Sequence, residues 1–292
     1  MIIPNKRTLT RLVKLAVSVA YFVGSRASNL GRRLAGLPAP GTCTILYYHS
    51  ITPDNRERFG RQLDMLARLS TPIGADTRER LSSGVRYAAV TFDDALENLI
   101  DNALPELQKR HIPCTIFVIA GTLGEIPWWT AKAARPENRH RTMTADQLRS
   151  LSAELVVLGA HTLTHPNLLA IPEADGRREI AESRTRLEKI LGRDVRLFSF
   201  PFGAFDERLV DYCREAGYER VFTTLPHPAL SEPHEFVSGR VCAEPTDWPL
   251  EYRLKLAGAY SWLPAAFRLK RRLLRRAGAQ QAVGKREDTE FA

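Results

Sequence analysis

The sequence predicts an α/β protein, a distorted (β/α) barrel of about seven parallel strands. Strand-like runs alternate with amphipathic helical stretches between residues 42 and 241. Such alternation with short connections is typical of a parallel sheet covered by helices. Neither GxGxxG nor GxxxxGK[ST] occurs, so an open nucleotide-binding sheet lacks its usual sequence support. The number of strands then favours a closed or nearly closed barrel over an open sheet.

The strands are predicted from β-branched and aromatic runs, and the helices from apolar residues three and four positions apart. The predicted strands are 42–48, 85–92, 112–120, 155–159, 196–200, 221–224 and 235–241. The predicted helices are 56–69, 95–110, 145–151, 174–191 and 206–216. Pro105 predicts a kink or a break in the second of these helices. Thr144 is the expected N-cap of the third.

The basic charge is concentrated at the two ends of the chain. The net charge is +9 overall, with +7 in residues 1–40 and +5 in residues 263–292, which leaves the body mildly acidic. This distribution argues against a nucleic-acid-binding face and favours an anionic membrane surface as the partner of the arms. We therefore expect a basic N-terminal segment over 1–40, a barrel over 41–260, and a basic tail over 261–292 with a disordered end.

The N-terminal segment allows three interpretations. Its most apolar run, residues 15–24, is about half the length that spans a bilayer. It could be an amphipathic helix lying on the membrane surface, a signal or anchor, or a plain soluble helix. Residues 257–276 have the same basic amphipathic pattern, and the alternative there is a leucine stripe packed on the barrel. The expected location is the inner face of the cytoplasmic membrane, with export or N-terminal anchoring as the alternative.

Polar side chains follow three of the predicted strands. Asp93 and Asp94 end one strand, His161 and His165 follow another, and His49 ends the first. The carboxyl ends of parallel barrel strands lie at one face, so we expect these side chains to meet there. Two adjacent buried carboxylates repel each other and lose solvation, which favours a cation beside them.

The His161–Thr162–Leu163–Thr164–His165 spacing would put both imidazoles on one face of a helical turn. It lacks the internal Glu of the HExxH metalloprotease motif. With the Asp pair it makes a ligand set of two His and one carboxylate. That set suits Zn²⁺, and Co²⁺ or Ni²⁺ would satisfy the same ligands.

Three motifs in this order, TFDD at 91–94, HTLTH at 161–165 and RLFSFPFG at 196–203, resemble the polysaccharide deacetylase family with its NodB-type domain. The resemblance covers roughly residues 42–260. It implies a metal-dependent hydrolase that removes N-acetyl or N-formyl groups from an amino sugar of a bacterial polysaccharide or lipid-linked oligosaccharide. It also implies that Asp93 is the general base and that Asp94, His161 and His165 hold the metal.

The sequence departs from the family pattern in two places. The usual C-terminal LxH motif has only Leu225–Pro226–His227 as a candidate. The YYHSI stretch at 47–51 instead resembles the YHxI motif of circularly permuted members, which implies His49 as the general acid; a structural His at a strand end is the alternative. Ser199 stands where many members have an Arg that orients the base. We expect Arg240 to supply that cation.

Four further residues are candidates for substrate contacts. The turn at Phe202 and Gly203 could aim a backbone N–H at the oxyanion. Trp248 could line the acetyl pocket, or could be a core residue. Trp128 could stack on a sugar ring, or could hold its loop in place. The alternative functions are an amidase acting on small non-sugar amides, and an inactive saccharide-binding module.

Overall fold

The structure, a computed structural model, describes residues 6–131 and 140–276. Its centre is a parallel sheet whose strands follow the order β8-β7-β6-β5-β4-β3-β1-β9, with the short β2 paired to β3. The strands are β1 Thr42–Tyr48, β2 Thr71–Pro72, β3 Arg86–Phe92, β4 Cys114–Val118, β5 Val156–Ala160, β6 Leu197–Ser199, β7 Arg220–Thr223, β8 Val237–Gly239 and β9 Val241–Cys242. Every pairing between these strands is parallel.

One short segment joins the two edges of the sheet. β8 pairs with β7, whereas β9 pairs with β1 at the opposite edge. Arg240 is the single residue between β8 and β9. The predicted strand 235–241 is therefore one segment that changes partners at Arg240. Counted as one strand it gives seven positions around a nearly closed barrel, and the predicted fold class is confirmed.

The strands are apolar on both sides, as expected when helices cover a parallel sheet. Leu46 and Tyr48 of β1 belong to the large core between the strands and the helices. Cys43 and Ile45, on the other side of the same strand, belong to a second cluster with Phe117 of β4 and residues of β6 and β7. The alternation along β1 thus separates a helix-facing core from the barrel interior.

The helices follow the predicted order with shifted ends. They are α1 Lys6–Leu34, α2 Pro53–Leu69, α3 Asn98–Asn102, α4 Leu104–Lys109, α5 Trp128–Ala131, α6 Ala145–Ser150, α7 Glu173–Leu191, α8 Glu207–Glu215, α9 Pro249–Leu256 and α10 Leu263–Arg276. The helix predicted over 95–110 is two helices separated at Ala103, so the break signalled by Pro105 is confirmed. Thr144 caps α6 in a capping box with Gln147.

The N-terminal helix α1 lies along the outside of the barrel. Arg11 reaches Glu251 of α9, with 2.8 Å between Nε and Oε2. Further along α1, the Ser18 hydroxyl accepts a hydrogen bond from the Trp262 indole at 2.9 Å. None of the described helices combines the length and the apolar character that a membrane crossing requires. The disordered end predicted for the tail lies outside the described residues.

Candidate active site

The candidate site lies where the strands end, at one mouth of the barrel. Asp93 and Asp94 follow β3, His161 follows β5, and Ser199 is the last residue of β6. The Asp93 amide donates to the Tyr48 carbonyl of β1 at 2.9 Å, which extends the ladder of the strands by one bond. The carboxyl ends of the parallel strands thus bring together the residues that the sequence analysis expected to meet.

Three buried side chains form a cluster with the geometry of a metal site. Asp94 Oδ1 lies 3.5 Å from His165 Nε2 and 3.7 Å from His161 Nε2. One ligand atom from each residue lies within 4.8 Å of the others. Two ligands about 2.1 Å from a tetrahedral ion are roughly 3.4 Å apart. The separations therefore suit one ion held by all three side chains.

The protonation of both imidazoles suits metal binding. His161 Nδ1 lies 2.8 Å from the Ser199 carbonyl oxygen, which can only accept, so Nδ1 carries the proton and Nε2 presents its lone pair toward Asp94. Burial lowers the pKa of His165 to about 4, against the opposite effect of Asp94. His165 is therefore neutral near pH 7, as a ligand must be.

The histidine pair lies on a loop, so the helical turn proposed from its spacing is wrong. Thr162 and His165 both have left-handed backbone conformations, with φ of 65° and 62°. The Thr162 hydroxyl accepts a hydrogen bond from the His165 amide at 2.9 Å. This local bond closes the turn and brings the two imidazoles together, with ring centroids 4.9 Å apart.

Glu179 of α7 accepts hydrogen bonds from this loop, and it was not among the residues predicted from the sequence. One carboxylate oxygen accepts from the Leu163 and Thr164 amides at 2.8 Å each, and the other accepts from the Thr164 hydroxyl at 2.6 Å. All three donors lie between the two histidines in sequence. Glu179 is only 5% exposed. Its place on the buried face of α7, four residues before Ser183, is the sequence signal that could have revealed it.

Asp93 is paired with Arg240 instead of facing Asp94. The guanidinium donates to both carboxylate oxygens, at 2.7 and 2.8 Å. Arg240 also donates to the Ser199 hydroxyl at 2.7 Å and to the Thr91 hydroxyl at 3.1 Å. It is 1% exposed and stacks over the Tyr47 ring with its Cζ 4.8 Å from the ring centroid. Arg240 thus supplies the positive charge beside Asp93 that was expected of it because Ser199 stands in place of an Arg.

The electrostatics keep Asp93 ionised. Burial by itself would raise the pKa of this carboxyl, but the charge and the hydrogen bonds of Arg240 outweigh burial, so the pKa lies well below its usual range. Asp94 takes a different direction because its backbone is left-handed, with φ of 69°. The two carboxylates therefore diverge through the turn after β3.

His49 lies at the rim of the same mouth. It follows β1 directly, and its exposed ring packs edge-on against Tyr47 with centroids 5.7 Å apart. A positive charge on His49 acts to lower the pKa of Asp93, which places the imidazole within electrostatic reach of the carboxylate. His49 is exposed, so it is not a core residue; its role as general acid, and the alternative of a capping His at the strand end, stay predictions.

The turn after β6 presents Phe202 and Gly203 at the mouth. Phe202 has a φ of 58°, and its ring lies 4.8 Å from the His165 ring between centroids. Gly203 has a φ of 64°, and a Cβ there would lie 1.9 Å from the Thr224 hydroxyl oxygen. The backbone therefore requires glycine at 203, both for its conformation and for its close approach to Thr224, the residue after β7.

The two tryptophan candidates lie at the surface. Trp128 begins α5 and is 56% exposed. Trp248 is 38% exposed, and the Arg11 guanidinium lies over its ring at 4.2 Å. The core alternative for Trp248 is therefore wrong. Its ring contacts α1, and a role of either Trp in substrate binding stays a prediction.

Comparison with known proteins adds a family match to this geometry. Residues 81–221 match the model of the family described as "Polysaccharide deacetylase". The chain is 23% identical over 218 residues to YxkH of Bacillus subtilis, which carries the name of a polysaccharide deacetylase; the match covers 70% of this chain and 73% of YxkH.

Two further similarities concern more narrowly named proteins. Over 149 residues the chain is 25% identical to the poly-β-1,6-N-acetyl-D-glucosamine N-deacetylase of Staphylococcus aureus. This match covers 47% of this chain and 48% of that enzyme. The structure of IcaB from Ammonifex degensii is similar with a TM-score of 0.62 and 25% identity, over 75% of this chain and 98% of IcaB.

Proposed function

We propose, since the chain belongs to the polysaccharide deacetylase family, that it removes N-acetyl or N-formyl groups from an amino sugar of a bacterial polysaccharide or oligosaccharide. The family makes it a hydrolase of carbon–nitrogen bonds other than peptide bonds. The observation that carries the proposal is the cluster of Asp94, His161 and His165 beside the Asp93–Arg240 pair. In this arrangement Asp94, His161 and His165 are available to bind a metal ion, and Asp93, paired with Arg240, is available as a general base.

The residues fit a divalent ion, and Zn²⁺ fits best. Two neutral imidazole nitrogens and one carboxylate oxygen form the donor set of hydrolytic zinc sites, which keep one position for water or substrate. Co²⁺ and Ni²⁺ accept the same ligands. An ion bound there would lower the pKa of water and polarise the carbonyl of the amide.

Asp93 is the proposed general base. Arg240 keeps its carboxylate ionised and fixes its orientation with two hydrogen bonds. Oδ1 of Asp93 also accepts from the Ser199 hydroxyl at 3.4 Å. Oδ2 accepts from Arg240 and keeps its second lone pair for the proton of the attacking water. Water adds to the acyl carbon as Asp93 takes this proton, and the carbonyl electron pair moves onto its oxygen.

The chain offers two groups for the rest of the reaction. The turn at Phe202 and Gly203 is proposed to aim a backbone N–H at the developing oxyanion. His49, exposed at the rim, is proposed to be the general acid. As imidazolium it protonates the sugar nitrogen when the carbon–nitrogen bond breaks. Acetate, or formate, and the free amine leave.

The names of relatives and the charge distribution define the substrate proposal. The S. aureus relative is named for a glycan of N-acetylglucosamine, so an N-acetylated glucosamine polymer is the first class of substrate to test. The basic arms extend the proposal to lipid-linked saccharides at an anionic membrane surface, and to a peripheral location on the inner face of the cytoplasmic membrane.

Acetate release from N-acetylglucosamine oligomers tests the proposed function. We expect release by the purified full chain loaded with Zn²⁺, and loss of release after chelation that returns when the ion is restored. Release from small linear amides alone would favour the non-sugar amidase. A chain that binds metal and these oligomers but releases no acetate from any of them would contradict the proposal and favour a binding module.

A further inference from the structure

Helix α1 packs on the barrel with its more polar face and presents its apolar face outward. The side chains that turn toward the barrel include Arg11, Lys14, Ser18 and Ser25, with Leu15 and Phe22 among them. The barrel covers α1 only as far as Ser25, and every later side chain of the helix is exposed. On the side away from Arg11 and Ser18, aliphatic side chains recur every three or four residues: Leu9, Leu12, Val13, Ala16, Val19, Ala20, Val23, Ala27, Leu30 and Leu34. We call this set the α1 stripe.

The orientation of α1 is fixed by specific contacts and is not a loose placement. Arg11 bonds Glu251 through Nε and Nη2 and also donates to the Thr246 carbonyl at 3.1 Å. Ser18 is completely buried and accepts from the Trp262 indole. A rotation of the helix that buried the α1 stripe would break these bonds and leave Glu251 without its Arg11 partner.

The α1 stripe is an unusually large apolar surface for a protein in water. Val13, Val23 and Leu30 are 55%, 59% and 58% exposed. A helix of 29 residues is about 43 Å long. The α1 stripe is therefore an extended apolar patch and not a set of isolated exposed side chains. Contiguous exposed apolar patches of this kind mark binding surfaces for proteins or membranes.

The charges beside the α1 stripe identify its partner. Residues 1–40 contain seven basic residues and no acidic residue. Arg26, between Val23 and Leu30 on the helix surface, lines one cavity together with Arg86, and Arg253 of α9 lies within electrostatic reach of Arg86. Burial lowers the pKa of Arg86, and repulsion from Arg26 and Arg253 lowers it further. No salt bridge joins these three guanidiniums to a carboxylate in the described part of the chain.

We propose that the α1 stripe lies in the interface of an anionic lipid bilayer, with Arg26, Arg86 and Arg253 binding lipid phosphates. An apolar stripe edged by cations is what a helix parallel to a bilayer presents. A second copy would bring cationic α1 helices together without an acidic partner on either. This proposal rests on the membrane partner proposed above and specifies the surface that binds it. In this orientation the side of the barrel that carries α9 faces the membrane, with α1 between α9 and the lipid.

Vesicle flotation of the full chain tests this surface. The test variant is Val13→Gln/Val23→Gln/Leu30→Gln, and a matched control is Leu169→Gln, a leucine 49% exposed outside α1. We expect wild type and control to float with phosphatidylglycerol-containing vesicles. The triple variant should bind about tenfold more weakly or worse, because three inserted apolar side chains are lost. Arg26→Gln/Arg253→Gln should weaken binding to these vesicles and leave binding to pure phosphatidylcholine unchanged.

Two outcomes would overturn the proposal. The triple variant could float as wild type does, or wild type could bind no vesicles and form a dimer that the triple substitution dissociates. Circular dichroism and acetate release from a soluble oligomer show whether the variant is folded. Stripe-dependent flotation by a protein without deacetylase activity would leave this inference standing and the proposed reaction refuted, so the two failures are distinguishable.

Discussion

Glu179 is predicted to be a positioning residue for the metal ligands. Replacement of Glu179 by Ala removes three hydrogen bonds to the loop between His161 and His165. It also leaves the Leu163 and Thr164 amides without their acceptor. An unsatisfied buried donor costs about 1–3 kcal/mol, but Leu163 is only partly buried and Thr164 is exposed, so water replaces part of the lost acceptor. We therefore expect Glu179→Ala to lower the free energy of unfolding by about 1–3 kcal/mol.

The same change should weaken metal binding because the loop is no longer held with both imidazoles toward Asp94. Residues that support metal ligands typically contribute about 10–100-fold in affinity. Competition of Glu179→Ala with a chromophoric zinc chelator measures this loss. Glu179→Gln keeps one oxygen acceptor and should lose less.

Glu182→Ala is the matched control, because Glu182 is exposed on the same helix. It should change neither quantity by more than about 0.5 kcal/mol. A folded Glu179→Ala protein that binds Zn²⁺ as tightly as wild type would refute the positioning role.

Three further changes test other parts of the structure. Arg240→Met should destabilise by about 3–5 kcal/mol in urea denaturation because it leaves Asp93 buried and unpaired; an unchanged midpoint would contradict the pairing. Gly203→Ala should lower stability and acetate release because its Cβ would overlap Thr224, whereas Gly24→Ala on exposed α1, with open space at its Cβ, should be tolerated. Thr144→Ala should lower the free energy of unfolding by about 1 kcal/mol through loss of the α6 cap, and equal stability would show that the cap is dispensable.

Local sequence signals were sufficient for the order of the barrel elements. Apolar runs identified β1, β3 and β4 because buried parallel strands are apolar on both faces. Pro105 identified the break between α3 and α4, and Thr144 the start of α6. These features depend on residues close in the chain, so their causes are visible in the sequence.

The features that sequence reasoning missed depend on distant contacts or on backbone conformation. The change of partners at Arg240 depends on β1, almost two hundred residues earlier in the chain. The spacing of His161 and His165 fits a helical turn, but left-handed residues and the Thr162 bond make it a loop. In the sequence Glu179 is one charge among several on the helix predicted over 174–191, because its partners lie in that loop.

The N-terminal helix shows what amphipathicity alone leaves open. The sequence indicates that α1 has a polar and an apolar face, but it does not indicate which face the barrel covers. The bonds from Arg11 and Ser18 place the polar face inward. That orientation required the positions of Glu251 and Trp262, which lie more than two hundred residues away in sequence.

The division of labour between Asp93 and Asp94 is the central claim, and one paired measurement tests it. Metal content and acetate release are determined for Asp93→Asn and Asp94→Ala beside wild type. We predict that Asp94→Ala loses the bound ion together with activity, whereas Asp93→Asn keeps the ion and loses activity. An Asp93→Asn protein that retains both its metal and full acetate release would contradict the account.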